Sequence, residues 1–374
     1  MVIVFRCSPQ AKEALDQLKE RDGLGDYSDV INAALVNYAT LSAALDAKGA
    51  IVLPEIAPRV ESAPRRHAPT VALHTVEASG TRPQPTRVAL PVVFTSGNLP
   101  TDPPCPLATL PSDVFFPGQP VPVDRWVFGQ YSKLLPAKAT VRAMANLLLQ
   151  HPGGLPIDKL SPQVAQEAAL LGQYLEAHDQ QHGLKRDEAL ATGFPSTGEN
   201  ADKSRLRYAN QFVASISKQG QLSGLLADLK LIGITSERTR RIQLTTPGWA
   251  LAILQNPILD GPASATSDRL SNDERTLLIE HIARFVPAED YAFRTIIEFI
   301  KQGLTTPDQL DDAVKKLPAS KKDNVTDAFI TTQRSGLISR MADLGLISRL
   351  REGVRVSYLI TDTGTTYANR SAAA

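Results

Sequence analysis

The chain has 374 residues, a formal net charge of +1, 21% charged residues and two cysteines. That length allows two or three domains, while the balanced charge leaves nucleic-acid binding to be decided by local clusters. Two cysteines as distant in sequence as Cys7 and Cys105 argue for thiols rather than a disulfide framework. No apolar run reaches membrane-spanning length and no basic stretch precedes an apolar one near the start, so a reducing, cytoplasmic setting is expected.

The first element reads Val2-Ile3-Val4-Phe5-Arg6-Cys7. Strand alternation puts Ile3, Phe5 and Cys7 on one face and Val2, Val4 and Arg6 on the other. A strand this short needs a partner, and a second copy of the chain supplies one. Ser8 caps a helix with Pro9 at its first position and Ala11, Leu15 and Leu18 along one side. A turn at Gly23-Leu24-Gly25-Asp26 leads to a second helix opened by Tyr27-Ser28-Asp29, with Ile31, Ala34, Leu35, Tyr38 and Leu41 at helical spacing.

This order and spacing resemble the ribbon-helix-helix family of DNA-binding proteins. The resemblance implies a homodimer formed through residues 1–45, with Arg6 on the groove-facing side of a two-stranded ribbon. It also implies a phosphate contact at the helix end marked by Ser28. The ribbon face is poor in polar groups and its surroundings are net acidic, so the module is expected to serve chiefly as a dimer clamp.

Between positions 54 and 122 lie 15 of the 27 prolines. We read 47–123 as a proline-rich linker in extended geometry, with a short strand near 90–95. Beyond it the chain repeats. Leu226-Ala227-Asp228-Leu229-Lys230-Leu231-Ile232 returns as Met341-Ala342-Asp343-Leu344-Gly345-Leu346-Ile347. Each copy predicts a helix running into a strand, a turn and a returning strand, ended by Thr245-Thr246-Pro247-Gly248 or Thr361-Asp362-Thr363-Gly364. Helices over 137–150 and 292–302 precede the copies. Further elements begin at Ile157-Asp158-Lys159-Leu160 and Pro307-Asp308-Gln309-Leu310. The first copy carries an insertion with a helix over 162–182 and a polar loop at 192–200.

The arrangement resembles the winged-helix family of helix-turn-helix proteins. The fold class expected is mainly α with small β elements. The parts are a ribbon-helix-helix module (1–46), the linker (47–123), a winged-helix domain with a helical insertion (124–262) and a second winged-helix domain (263–374). Residues 203–241 hold eight lysines and arginines against two acids, and 315–355 hold nine against four. The resemblance places Lys218, Gln219, Gln221, Thr332, Gln333 and Arg334 at recognition helices and Arg238, Arg240, Arg241, Arg349, Arg351 and Arg355 on wings, with Arg205 a further DNA-binding candidate in the basic stretch 203–241. Such groups would contact phosphates and base edges.

Catalytic motifs are absent: no phosphate-binding glycine loop and no nucleophile elbow occur, so an enzyme is not expected. His178 and His182 stand four apart on a helix without further ligands and read as an exposed polar face, so neither a metal nor another cofactor is expected. Trp126 and Trp249 read as core residues. The function expected is a homodimeric double-stranded DNA-binding protein, a transcriptional regulator or nucleoid-associated organising protein without a membrane partner. The alternative is a DNA-facing or scaffolding subunit of a defence, partition or chromosome-handling complex that uses its winged helices to dock proteins.

Overall fold

The computed structural model describes residues 90–97, 99–110, 119–184, 188–217, 220–236, 241–261, 268–317 and 325–370. The chain divides into two units, Met1–Arg82 and Pro83–Ala374, and all described residues belong to the second. The strand and helix pair expected within 1–46, with Arg6 and Ser28, lies outside the described residues. The described part is mainly helical with three small antiparallel sheets.

At its centre runs α1 (Leu135–Gln150), buried on almost every side from Leu135 to Leu148. A helix with no solvent face is a core helix, and its polar side chains need internal partners. Lys138 and Arg142, each fully buried, find them at the end of another helix, α5 (Thr246–Ile253). Lys138 Nζ donates to the carbonyls of Leu251 (2.5 Å) and Leu254 (2.7 Å) and meets Glu274 at 2.9 Å. Arg142 donates to Ala252 O (2.8 Å) and pairs with Asp260 at 2.7 Å. Two cations thus satisfy the last carbonyls of α5, where the helix dipole favours positive charge.

After α1 come the two-residue strand β1 (Leu155–Pro156) and α2 (Ile157–His182), closed by Gly183 in the left-handed conformation. This helix begins five residues before Pro162, which lies inside it. Next are α3 (Ala201–Tyr208), the hairpin β2 (Ser215–Ile216) with β3 (Leu222–Ser223), α4 (Leu225–Asp228), and β4 (Ile232–Ser236) with β5 (Arg241–Leu244). The second half holds α6 (Asn272–Phe285), α7 (Pro287–Lys301), α8 (Pro307–Lys315), α9 (Asp327–Asp343), β6 (Ile347–Glu352), β7 (Arg355–Ile360) and α10 (Asp362–Asn369). Capping boxes at Ser271/Glu274 and Thr306/Gln309 fix the starts of α6 and α8.

The repeated heptad folds the same way twice. Leu231 N–H donates to Leu226 O (2.8 Å), and Leu346 N–H to Met341 O (2.9 Å). The second residue past each helix takes the left-handed conformation: Gly345 has φ 72° and Lys230, the only non-glycine among the described residues to do so, has φ 55°. The hydroxyl of Thr245 donates to Lys230 O (2.8 Å) and that of Thr361 to Gly345 O (2.6 Å). Each hydroxyl also accepts from the N–H of Gly248 or Gly364, opening the next helix. A Cβ on either glycine would lie 2.0 Å from the carbonyl oxygen of Leu231 or Leu346.

The sheets correspond as well. β1 pairs with β5, Leu155 opposite Ile242, and in the second half Tyr358 N–H of β7 donates to Thr305 O (2.9 Å), just before α8. Apart from α3 and the β2–β3 hairpin in the first half and α6 in the second, both halves run helix, short extended segment, helix, helix, hairpin, helix.

Two expectations about organisation change. Residues 90–97, 99–110 and 119–123 are not a spacer: Phe94, Val121 and Val123 are buried, and Val92–Phe94 form a turn of 3-10 helix in place of the expected strand. Asn146 holds Val93 O (2.9 Å), and Ala108 N–H donates to Leu244 O (2.9 Å). Nor does the body separate at 262/263. His281 of α6 contacts Leu229 O at 2.7 Å, and Leu134 N–H donates to Asp343 at 3.0 Å, so one core spans both halves. Trp126 and Trp249 lie in that core.

Candidate nucleic-acid interface

The long helix of the second half, α9, carries the residues expected to reach base edges. Thr326 caps it, accepting from Phe329 N–H. Its exposed surface is confined to its first turns, where Asp327, Ala328, Thr331 and Ser335 are open to solvent; from Gly336 to Met341 every residue is buried. The cover comes from the first half, residues 121–134.

Gln333 is 1% exposed, accepts a short hydrogen bond from Gly129 N–H, and donates to Val123 O (3.2 Å). Arg334 is buried and grips Asp311 of α8 with two bonds, Nε at 2.8 Å and Nη2 at 3.0 Å. Thr332 bonds back to Ala328 O (2.8 Å) within its own helix. Gln333 and Arg334, expected at base edges, instead satisfy internal carbonyls and a carboxylate, because this face of α9 is packed against protein.

Arg340 is the centre of that packing. It is 1% exposed, meets Glu289 of α7 at 2.6 and 3.1 Å, and donates to Tyr131 O (2.8 Å), Val127 O (3.2 Å) and Phe128 O (3.4 Å). Burial pushes the Glu289 carboxyl upward and the guanidinium opposes that shift. Close by, burial lifts Asp228 to about 7, opposed by Arg340 and reinforced by Glu289. Tyr131 rises to about 12, mainly from burial and secondarily from the Asp228 charge. The sequence offered one unread hint here: Gly336, a poor helix former, stands inside α9 at the point of closest approach.

The hairpin β6–β7 remains accessible. Its register pairs Arg349 with Tyr358, Leu350 with Ser357, Arg351 with Val356 and Glu352 with Arg355. Paired residues share a face, so Arg351 and Arg355 flank the tip on opposite faces, both exposed. Val354 at the turn is fully exposed, and Leu350 and Leu359 are 44% and 49% exposed on the outer face. Arg349 is half-buried in a cleft of about 370 Å³ that it lines with Lys133, Arg269, Arg275, Asp268 and Asp343.

In the first half the stretch with Lys218, Gln219 and Gln221, expected to open a recognition helix, is not helical where described. Gln221 lies exposed in the turn of the β2–β3 hairpin, its N–H on Ser217 Oγ (3.1 Å). Only α4, four residues long, precedes the β4–β5 hairpin. Arg241, at the start of β5, holds the carbonyls of Gly154 (2.7 Å) and Gly153 (3.2 Å), stapling the loop ahead of β1. Arg205 of α3 forms a short ion pair with Asp202. Lys218, Gln219, Arg238 and Arg240 lie outside the described residues.

The histidine pair departs from its expected exposed face. His178 is buried, its ring 4.2 Å from that of His182, and Asp179 beside it accepts from Leu190 and Ala191 N–H at 2.9 Å each. Among the described residues no cluster of three or more His, Cys, Asp or Glu is placed to hold a metal, and no helix is long and apolar enough to cross a membrane. Comparison with protein-family models, with curated proteins and with solved structures finds no match to this chain.

Proposed function

We propose that this chain is a homodimeric double-stranded DNA-binding protein. Residues 1–45 would form the ribbon-helix-helix clamp, and the body would be two winged-helix units fused through α9. The observation that carries the reading is the duplicated hairpin, supported twice by the same helix-to-strand hydrogen bonds, with Arg351 and Arg355 open to solvent at the end of the second copy. Phosphate contact is assigned to hairpin ends and not to α9, whose polar groups are engaged internally. Salt-dependent, sequence-tolerant affinity is the expected behaviour of such contacts. A mobility-shift titration of the full chain on duplex DNA across a salt series tests this. Affinity should fall steeply as salt rises; no shift at moderate salt would end the reading.

A second reading has its own observation. α9 already docks on residues 121–134, a protein surface. A scaffolding subunit of a larger DNA-handling assembly would use winged-helix units in this way. Retention of dimer formation with no duplex affinity would favour it.

A further inference from the structure

The insertion in the first half has no counterpart in the second, and together with α3 it builds a cleft of about 570 Å³. Its walls come from the loop at Gly193–Ser196, from α3 and its continuation, and from Gln130. We propose that this cleft is a binding site for a small organic anion with a flat apolar body, such as an aromatic carboxylate. The proposal does not depend on the DNA reading.

Three observations carry it. First, the charge of the lining is one-sided: Arg207 is the single cation and no acid lines the cleft. Arg207 is exposed at the surface of α3 and has no carboxylate partner among the described residues, whereas Arg205 on the same helix is paired with Asp202. A guanidinium available in a concave site matches a carboxylate through two parallel hydrogen bonds.

Second, the apolar part of the lining is aromatic. Phe194 stacks on Tyr208 with ring centres 6.0 Å apart, and Tyr208 on Phe212 at 5.0 Å. The Tyr208 hydroxyl faces away from this role, bonded to Thr140 (2.8 Å) and Pro136 O (3.2 Å), so the ring is held in place. Third, α3 does not end as an α-helix but runs into one turn of π-helix, Ala209–Val213. Such turns are rare and recur at functional sites because they re-aim side chains. Here the turn contributes Gln211 and Phe212 to the cleft, and Gln211 Nε2 bridges to Gln130 Oε1 at 2.9 Å. That bond leaves the Gln130 amide N–H groups as donors for a bound polar group. The volume lies within the range of small-ligand sites.

Isothermal titration of the full chain with benzoate tests the proposal, with benzamide, acetate and the Arg207→Gln variant as comparisons. Benzoate should bind saturably, and Arg207→Gln should weaken it about tenfold or more. Benzamide and acetate should each bind at least tenfold more weakly, one lacking the charge and the other the ring. The exposed Lys301→Gln control should bind as the parent does. Absence of saturable benzoate binding, equal affinity in Arg207→Gln, or equal affinity for acetate would each overturn it. Gln211→Ala provides a second variant, expected to weaken benzoate without changing the melting temperature by more than a few degrees.

Discussion

Gly129 and Gly336 touch backbone to backbone. A Cβ on Gly336 would lie 1.8 Å from the carbonyl oxygen of Gly129, and one on Gly129 would lie 2.1 Å from the carbonyl oxygen of Thr332. In a solvent-facing helix, replacing glycine by alanine stabilises by about 1 kcal/mol. Gly336→Ala should do the reverse, lowering stability by about 1–3 kcal/mol through overpacking, as measured by urea unfolding. A neutral or stabilising outcome would show that the loop 121–134 does not rest on α9.

The pair Arg340–Glu289 is wholly buried. Removing one partner strands the other charge, so Arg340→Met alone should cost about 3–5 kcal/mol. Restoring neutrality with Arg340→Met and Glu289→Met together should recover much of that loss. A double variant as unstable as the single one would mean that the carbonyl contacts to Val127, Phe128 and Tyr131 matter more than the charge pair.

Asp228 gives a pH dependence with a definite sign. Its carboxyl is raised by burial to about 7 in the folded protein, while the unfolded chain titrates near the ordinary 3.8. The folded state therefore holds the proton more tightly. Its contribution to stability is complete below about pH 4 and is lost as pH rises through 7. Asp228→Asn should flatten this limb and raise stability at pH 8 by on the order of 1–2 kcal/mol. Thermal melts between pH 5 and 8 read the difference; identical slopes for parent and variant would contradict the assignment.

Arg351 and Arg355 should act on DNA through charge alone. Replacing both with alanine should make the dependence of log affinity on log salt shallower by about two per bound protomer, without altering preference among duplex sequences. Changed sequence preference would mean that the hairpin end reaches bases.

The boundary of the folded body is also testable. A chain beginning at Pro83 should unfold in one cooperative transition. A chain beginning at Val123 lacks Phe94, the Ser96 N–H bond to Asp260 and the Thr101 carbonyl held by Trp249, so it should unfold at lower temperature with a broader transition. Matching transitions would return 90–122 to the role of a spacer.

The repeated helix-to-strand junctions were legible because their determinants are local. Leucines three residues apart, a left-handed position and a threonine–glycine cap all act within a dozen residues. The fate of Gln333, Arg334 and Arg340 was not legible. Charge counting reads such residues as surface, and their partners stand far away in sequence, at Val123, Asp311 and Tyr131. The segment 90–110 misled for a related reason. Proline excludes ladders but not burial, and here side chains such as Asn146 and Arg142 take the hydrogen bonds that a sheet would have taken. The aromatic cleft could have been found from Arg207, Tyr208, Gln211 and Phe212 at helical spacing, yet that spacing alone also describes an ordinary packed helix.

The bonds from Gly129 to Gln333 and from Val127 to Arg340 close loops of more than 200 residues. On a ribosome, the surface formed by Tyr131 and its neighbours is made about 209 residues before Arg340, which covers it. The first half must wait, with that surface open, until α9 has been synthesised. Folding of the body is therefore set by the slowest kind of contact, a long-range one, and not by its many local helices.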